Sequence, residues 1–598
     1  MRRLAAYLAA LAVLAALLSA APASARPELP RMTTPRVIDA SQELGEINYA
    51  EAILLKAYSV YAPDRLPEAY RGGIVEKCGY PTVREIEDAL PILPADVADE
   101  IRDLRDRPSN MTYIDTEHFR IHYDTSGTHK IYNWPDTTYR DAVMAAAELS
   151  WAVEVDTMGF RQPPDDGSDP DGGDGSGLYD IYVQDLGTSY YGYTGTGWTQ
   201  PGAPLYDCSS YVVIDNDYQG FGYPDPIDPM KVTVAHEFNH ACQMAHDYYE
   251  DLWYMECSAV WSEDEVFDAI NDYVFYISYF VTYPYMTLEW NDVTGARMYG
   301  SVIWNKFLSE NYGQGIVPDI WDACENSSSP SIDVIASKLY SYTTTIKDEF
   351  REFAIWNWFT GTRDDGLHYE EGYLWPNPAV TATCNTYPIV GGAPIPAREP
   401  QHLACNYIRF NNSASGYDGL TITYDGPGIM TWDQHASVNV EMNTGDTAEY
   451  GEISLALPGT GEITIDDWDV TTRACLVVSN LSTLTDNMQY TFDADEVETA
   501  VPGEAQVFAL RPASPNPFTE STSISYSVPS GGGLVDVTIY DVSGREIRTL
   551  VRDSMAGGEA RAVWDGLDDS GRRVATGIYF ARLNINGLTA CGKLVVLK

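Results

Sequence analysis

Basic residues are what this sequence most lacks: 37 Lys and Arg stand against 87 Asp and Glu, a formal charge of −50 over 598 residues. Phosphate backbones and anionic headgroups repel so acidic a chain, which excludes nucleic acid and anionic membranes as partners. Long apolar runs are also scarce. After the run from Leu4 to Ala20, no stretch is long and apolar enough to span a bilayer, so the mature chain is expected to have no transmembrane anchor. Histidine is rare, with nine in the chain, and cysteine is sparse and odd in number, also nine. Rarity sharpens any histidine pattern: two histidines bracketing a glutamate at helical spacing arise by accident in roughly one such chain in a hundred.

What is present is the composition of a globular protein, 44% hydrophobic with 12% aromatic residues. The length calls for about three or four domains. Arg2 and Arg3 precede the apolar run, and Ala23-Ser24-Ala25 places small residues where a signal peptidase reads them. Residues 1–25 are therefore expected to be a secretory signal peptide, and the protein to be extracellular, free or attached to the cell surface. Residues 26–108 read as a helical leader, with helical periodicity across Glu51 to Tyr58. From Met111 the pattern changes: Glu117 to Tyr123 alternates as a strand, and Tyr139 to Met158 is alanine-rich and helical. Strands are expected at Leu178 to Val183 and Ser209 to Ile214. Before them, Asp165 to Asp174 alternates Asp with Gly, a composition that suits a Ca2+-binding loop and equally a solvated turn.

The chemistry concentrates in His236-Glu237-Phe238-Asn239-His240. Histidines four apart share one face of a helix, so both rings reach one ion, and the glutamate between them projects beside it. That pattern supplies two zinc ligands and a carboxylate base for water. Asp228 and Pro229 are expected to open this helix. A third ligand is needed, and two residues compete. His246 has the spacing used by H-E-x-x-H-x-x-G-x-x-H peptidases, but Gln243 replaces the glycine that makes their turn, and a continuing helix leaves His246 facing solvent. Glu256 is the other.

Strand, helix, strands and then a histidine-bearing helix is the order of the upper subdomain of zincin peptidases. In that fold an edge strand binds the substrate backbone, a role expected here for Tyr211 to Asp215. Leu252-Trp253-Tyr254-Met255-Glu256-Cys257-Ser258-Ala259-Val260-Trp261-Ser262-Glu263 resembles the second metal helix of the gluzincins, with Cys257 where glycine is usual and a shorter spacer before it. The resemblance implies zinc on His236, His240 and Glu256, with Glu237 as general base and Glu263 orienting a histidine. It also implies that Tyr299, within Arg297-Met298-Tyr299-Gly300, donates to the oxyanion. The stretch from His118 to Gly313 resembles a group of secreted bacterial metallopeptidase-like proteins with the same H-E-F-x-H and W-x-x-E-x-x-A-x-W patterns. In the leader, Lys77-Cys78-Gly79-Tyr80-Pro81 resembles the cysteine switch of matrix metallopeptidase propeptides, which implies a thiolate held on the metal of a zymogen. The alternatives for Cys78 are a buried structural cysteine or a disulfide partner. Loss of a leader carrying Cys78 would leave an even eight cysteines in an oxidising compartment.

Short alternating strands mark residues 385–497 as a β-sandwich, and a resemblance implies a second over 506–598. Pro515-Asn516-Pro517-Phe518, Val537 to Glu546, Trp564-Asp565-Gly566 and Gly577-Ile578-Tyr579-Phe580 resemble the immunoglobulin-like tail of the flagellar hook-capping protein and type IX secretion sorting domains. The resemblance implies a partner in export machinery or at the cell surface. The expected fold is thus multidomain, an α+β zincin-like domain over 109–380 followed by two all-β sandwiches. The expected function is zinc-dependent endopeptidase action on a polypeptide. The alternatives are a metzincin-like peptidase using His246 and a non-catalytic surface adhesin on the same scaffold.

Overall fold

In a computed structural model, strand alternation organises the first part of the chain around one mixed sheet. Residues 32–597 are described, apart from 110, 168–174, 198–206, 292–295, 326, 328, 415, 430–431, 444, 446, 499–508, 512, 514, 520, 530–531, 542–544 and 586–587. The expected signal peptide 1–25 and residues 168–174 of the Asp/Gly loop lie outside the described residues. Within that loop Asp166 is paired with Arg107. The chain divides into two units, Met1–Val497 and Glu498–Lys598.

The first unit opens with helices α1 (Thr34–Glu43) and α2 (Tyr49–Tyr61). A capping box starts α2: the Asn48 side chain accepts from the Glu51 amide, and the Glu51 carboxylate accepts from the Asn48 amide. A short strand β1 (Glu76–Cys78) and helices α3 (Tyr80–Ala89) and α4 (Ala95–Leu104) follow. Then come β2 (Thr112–Asp115), β3 (Phe119–Tyr123), α5 (Thr138–Ser150), β4 (Tyr179–Gln184), β5 (Tyr190–Thr196) and β6 (Ser210–Asp215). The alanine-rich segment keeps a helical path past α5 as a π-helix, Trp151–Met158, until Gly159 turns it at φ 95°.

The sheet order is β1-β5-β6-β4-β3-β2. Strand β6 therefore lies inside the sheet, which corrects its expected place at an edge. The strand beside the histidine helix with only the leader on its outer side is β5, which pairs antiparallel with β6 and parallel with β1. Successive side chains of β6 face opposite ways. Val212 and Ile214 join Val143 and Ala147 of α5 in the large core, whereas Tyr211 and Val213 pack with Ile53, Ala57, Val83, Ile86 and Ile101 of the leader. The leader thus covers this face of the sheet over β4, β5 and β6 and adds a strand to it.

Below the sheet lie α6 (Ile227–Gln243), α7 (Leu252–Val266), α8 (Tyr273–Val281), α9 (Ala296–Gly300), α10 (Val302–Tyr312), α11 (Ile316–Cys324), α12 (Ser331–Ser341) and α13 (Ile346–Trp356). Residues 382–497 form two sheets, β13-β10-β15-β8 and β12-β11-β14-β9-β7, whose inner faces meet through Ile408, Phe410, Ile422, Leu476 and Phe492. Here β7 is Ala382–Cys384, β8 Ile389–Gly392, β9 Ala404–Asn411, β10 Gly419–Asp425, β11 Gln434–Met442, β12 Thr447–Glu452, β13 Thr460–Ile465, β14 Thr471–Asn480 and β15 Thr491–Val497. This sandwich shares a core with α13, where Ile355 packs with Tyr407 and Val477.

Among its described residues the second unit is a seven-stranded sandwich by itself. Its sheets are β16-β17-β20 and β19-β18-β21-β22, from β16 (Ala509–Leu510), β17 (Thr522–Val528), β18 (Gly533–Asp541), β19 (Glu546–Met555), β20 (Gly558–Trp564), β21 (Gly577–Ile585) and β22 (Leu588–Val596). Ile524 and Trp564 of one sheet pack on Ile539 and Ala581 of the other. All nine cysteines are free thiols, so the even count left by removing Cys78 does not correspond to bridges. Among the described residues no helix is long and apolar enough to cross a membrane.

Candidate metal centre

Helix α6 is buried along nearly its whole length, which takes its two histidines out of water. It begins slightly before the expected cap: Pro226 is the N-cap, and Asp228 lies in the first turn, where its charge still faces the helix dipole. On the next helix, α7, Glu256 and Glu263 stand seven residues apart on the side turned to α6. Nε2 of His236 lies 3.1 Å from Oε2 of Glu256, and Nε2 of His240 lies 3.5 Å from Oε1 of the same residue. Cys78 comes in from β1, its Sγ 3.4 Å from Nε2 of His240. Among the described residues, the ligand atoms of Cys78, His236, His240 and Glu256 all lie within 4.8 Å of one another.

These spacings test a metal directly. Sulfur and nitrogen ligands bond zinc at about 2.0–2.3 Å, so tetrahedral neighbours stand about 3.3–3.8 Å apart. The observed 3.4 and 3.5 Å fall within that edge length and 3.1 Å lies just below it. Two imidazoles, a carboxylate and a thiol form a borderline-soft donor set that suits zinc. Buried polar atoms without a hydrogen bond point the same way: Oε1 of Glu237 and the Tyr299 hydroxyl.

The surroundings fix each ligand's orientation. His236 donates from Nδ1 to Oε1 of Glu263 at 2.7 Å, leaving Nε2 for the ion. His240 donates from Nδ1 to Oε1 of Gln243 at 2.8 Å. Gln243 in turn donates to Oδ1 of Asn239 at 2.7 Å and to the Met255 carbonyl at 2.9 Å. Asn239 donates to Oε2 of Glu154 on the π-helix at 2.9 Å. Burial pushes the Glu154 carboxyl well above the usual range, against the pull of the Asn239 bond. A chain of buried partners therefore runs from Glu154 to His240. The Tyr80 ring, two residues after Cys78, stacks on His240 with centroids 5.0 Å apart.

Glu237 lies beside the ligand group, not in it. Thr194 on β5 donates to its Oε2 at 2.8 Å, holding one oxygen and leaving the other free. Burial raises the Glu237 carboxyl above its ordinary range, despite the nearby His236 and His240 and the Thr194 bond. Strand β5 approaches closely because residue 192 is glycine: a Cβ there would fall 2.7 Å from Cγ2 of Thr233 and 3.1 Å from Cγ of Glu237. Tyr299 is buried, its ring 6.3 Å from that of His236.

His246 is elsewhere, and not at the surface as expected. It is fully buried, with its ring 6.3 Å from Phe160 and 6.2 Å from Trp321 and its Nδ1 3.5 Å from Asp322. Burial, then the Arg161 charge, bring its pKa down to about 3, so it packs as a neutral ring outside the ligand group. The reading of the sequence missed Thr194 and the Gln243–Asn239–Glu154 chain. The spacing of His240 and Gln243, three apart on one helix, was an available signal for part of it.

The family model described as "FlgD Ig-like domain" matches residues 516–585, within the second unit. This agrees with the seven-stranded sandwich found there. No curated protein matches the chain. Among solved structures the chain is similar to dimeric latent PorU from Porphyromonas gingivalis, at 17% identity over 37% of this chain and 19% of that one, with a TM-score of 0.15. It is also similar to PorZ, a surface component of the type-IX secretion system of Porphyromonas gingivalis, at 14% identity over 26% and 24%, TM-score 0.12. A third is the adhesin domain of Epf from Streptococcus pyogenes, at 8% identity over 34% and 78%, TM-score 0.12. The chain covers less than a quarter of either Porphyromonas protein. TM-scores this low are far from those of a shared overall fold.

Proposed function

We propose that the protein is a secreted zinc-dependent endopeptidase of gluzincin type, kept latent by Cys78, with its C-terminal immunoglobulin-like unit serving export or surface attachment. The observation that carries the reading is the convergence of Cys78, His236, His240 and Glu256 at zinc-ligand spacing, with Glu237 alongside. His236, His240 and Glu256 would hold the ion. When bound, zinc supplies polarisation of a peptide carbonyl and makes water a competent nucleophile at neutral pH. Glu237 takes the proton from the attacking water and passes it to the leaving amine, and Thr194 keeps one of its oxygens fixed meanwhile. The Tyr299 hydroxyl, buried without a partner, is free to donate to the developing oxyanion. While β1 stays in place, its thiol, and no peptide carbonyl, faces the ligands.

A second reading has its own support. The leader shares a core with the sheet, as a permanent part of a fold does, and a closed four-ligand site is the usual form of structural zinc. In that case the protein is a non-catalytic surface scaffold. Zinc content and casein hydrolysis for the wild type, Glu237→Ala and Glu256→Ala, after treatment with a thiol-binding mercurial, separate the two. The peptidase reading expects hydrolysis that Glu237→Ala abolishes with zinc retained. Bound zinc without hydrolysis in the wild type rejects it.

A further inference from the structure

The residue before the thiol is the unusual one. Lys77 is 4% exposed, and lysine is seldom buried unless it is paired. Its ammonium lies 2.8 Å from Oε2 of Glu263 and donates to Oδ2 of Asp272. Rings close the rest of the pocket: Nζ stands 4.8 Å from the Tyr276 centroid and 6.0 Å from that of Tyr191. Tyr223 donates to the other oxygen of Asp272. Burial alone would raise the Asp272 carboxyl, but the Lys77 charge outweighs it and holds the group below its ordinary range.

The groups that hold the ammonium come from the chain after the leader: Tyr191 from β5, Tyr223 from the loop before α6, Glu263 from α7, and Asp272 and Tyr276 from the start of α8. The leader contributes only the occupant. A leader that needed only to present a thiol could fill an apolar slot beside it. Instead it places a cation between two carboxylates, a costly arrangement to build and one that fails when either side is missing. When β1 leaves, the outer edge of β5 becomes free, and the pocket keeps its acids without a counter-charge. The register is set by the Gly79 amide donating to the Gly192 carbonyl at 2.8 Å and the Glu76 amide to that of Ser189 at 2.9 Å. An extended peptide added to that edge carries its side chains past the same pocket.

We infer that this pocket is a specificity subsite for a basic side chain, so that the substrates are polypeptides with lysine or arginine adjacent to the cleaved bond, and Lys77 imitates that residue in the latent protein. The inference rests on the peptidase reading for its cleavage step, and the cation pocket itself is testable without it. Glu263 then has two tasks, since one oxygen takes His236 and the other takes the cation.

Two measurements on the full chain test it. In the first, thermal unfolding of Lys77→Ala and Lys77→Met is followed with added n-butylammonium or n-butanol. Butylammonium should raise the melting temperature of Lys77→Ala by at least about 2 °C and leave the wild type, whose pocket is filled, unmoved. Equal effects on both proteins, or equal effects of the neutral butanol, overturn the pocket. In the second, mercurial-treated protein whose leader has then been digested away is given a mixed peptide library, and cleaved bonds are read by mass spectrometry. Lysine or arginine should be enriched about tenfold or more at one position next to the cut, and Asp272→Asn should lower kcat/KM for a lysine peptide relative to its norleucine counterpart by a similar factor. Cleavage without basic preference overturns the inference and leaves the peptidase reading standing. Butylammonium rescue with no cleavage of any peptide does the reverse, keeping the cation pocket and rejecting the peptidase.

Discussion

The sulfur of Cys78 lies 3.4 Å from Nε2 of His240, a residue 162 positions further along the chain. Neither is held there by the other alone. Cys78 is placed by the pairing of β1 with β5, and His240 by Gln243. Two independently built elements thus meet at ligand distance, as a thiol that closes a metal site must. Cys78→Ser keeps the three other ligands, so the full chain should still bind zinc and gain casein hydrolysis without thiol treatment, short of the full activity that digestion of the leader gives. Casein assays on the two untreated proteins check this, and unchanged latency in the variant would remove Cys78 from control of the site.

The hydrogen bond between Gln243 and His240 carries its own prediction. Partners that orient metal-bound histidines are worth about 10–100-fold in metal affinity. Gln243→Leu removes the acceptor while nearly keeping the volume, so zinc affinity measured by competition with a chelator should fall by about that factor. Glu263→Gln should fall comparably through His236. Thr194→Val acts differently: zinc affinity stays and kcat drops, because only Glu237 loses a donor.

Glu256 and His246 are distinguished by removal. With Cys78 blocked by a mercurial, Glu256→Ala should lose zinc, since only His236 and His240 are then left of the ligand group. His246→Ala should keep zinc but lose about 1–3 kcal/mol of stability by opening a cavity beside Phe160 and Trp321. Metal analysis alongside thermal unfolding decides. Zinc retained in Glu256→Ala and lost in His246→Ala would restore the metzincin alternative.

Cutting the chain between Arg105 and Met111 should not release the leader. Ile53, Val60, Val83, Ile86 and Ile101 are buried in a core shared with the sheet, each contributing about 1.5–3 kcal/mol. Retention of about nanomolar strength or tighter follows even after part of that gain is offset by ordering. On size exclusion after limited proteolysis the leader should co-elute with the rest and separate only in denaturant. Full activation then requires digestion of the leader, and a leader that dissociates on a single cut would show the shared core to be weak.

The histidine pair and the two glutamates of α7 were legible because helical spacing of 4 and 7 puts them on shared faces, a property of adjacent residues. Cys78 was legible only as one option among three, since a motif of four residues does not say what it touches. Strand β5 was not legible: Tyr-Tyr-Gly-Tyr-Thr-Gly-Thr carries two glycines that read as loop, yet Gly192 is what lets the strand approach Glu237. With β5 missed, the edge role fell to β6, and Thr194 went unseen. The bond from Lys77 to Asp272 spans 195 residues, and only topology brings its ends together. His246 was misplaced because its burial comes from α11 and the end of the π-helix, which its own neighbours in sequence do not reveal.

Asp247, just past α6, gives the unit a measurable pH dependence. It is 4% exposed, and its Oδ1 accepts from the Tyr249 amide at 2.7 Å. Burial, with the charges of Glu250 and Asp207 added, outweighs that bond and Arg84 and raises the carboxyl to about 7. The unfolded value is about 3.9. Between about pH 4 and 7 the folded state therefore holds a proton that the unfolded state has released, so this group's contribution to stability falls as pH rises through that window and is fully lost above it. Asparagine keeps the acceptor and cannot ionise. Asp247→Asn should thus change the melting temperature little at pH 4, raise it progressively from pH 5 to 7, and hold a constant gain of a few degrees at pH 8, a difference of roughly a few kcal/mol. Thermal unfolding of both proteins across pH 4–8 reads the sign directly. A variant less stable at pH 8 than at pH 5, relative to the wild type, would mean that the Asp247 charge is supported in the fold, with Arg84 as its partner.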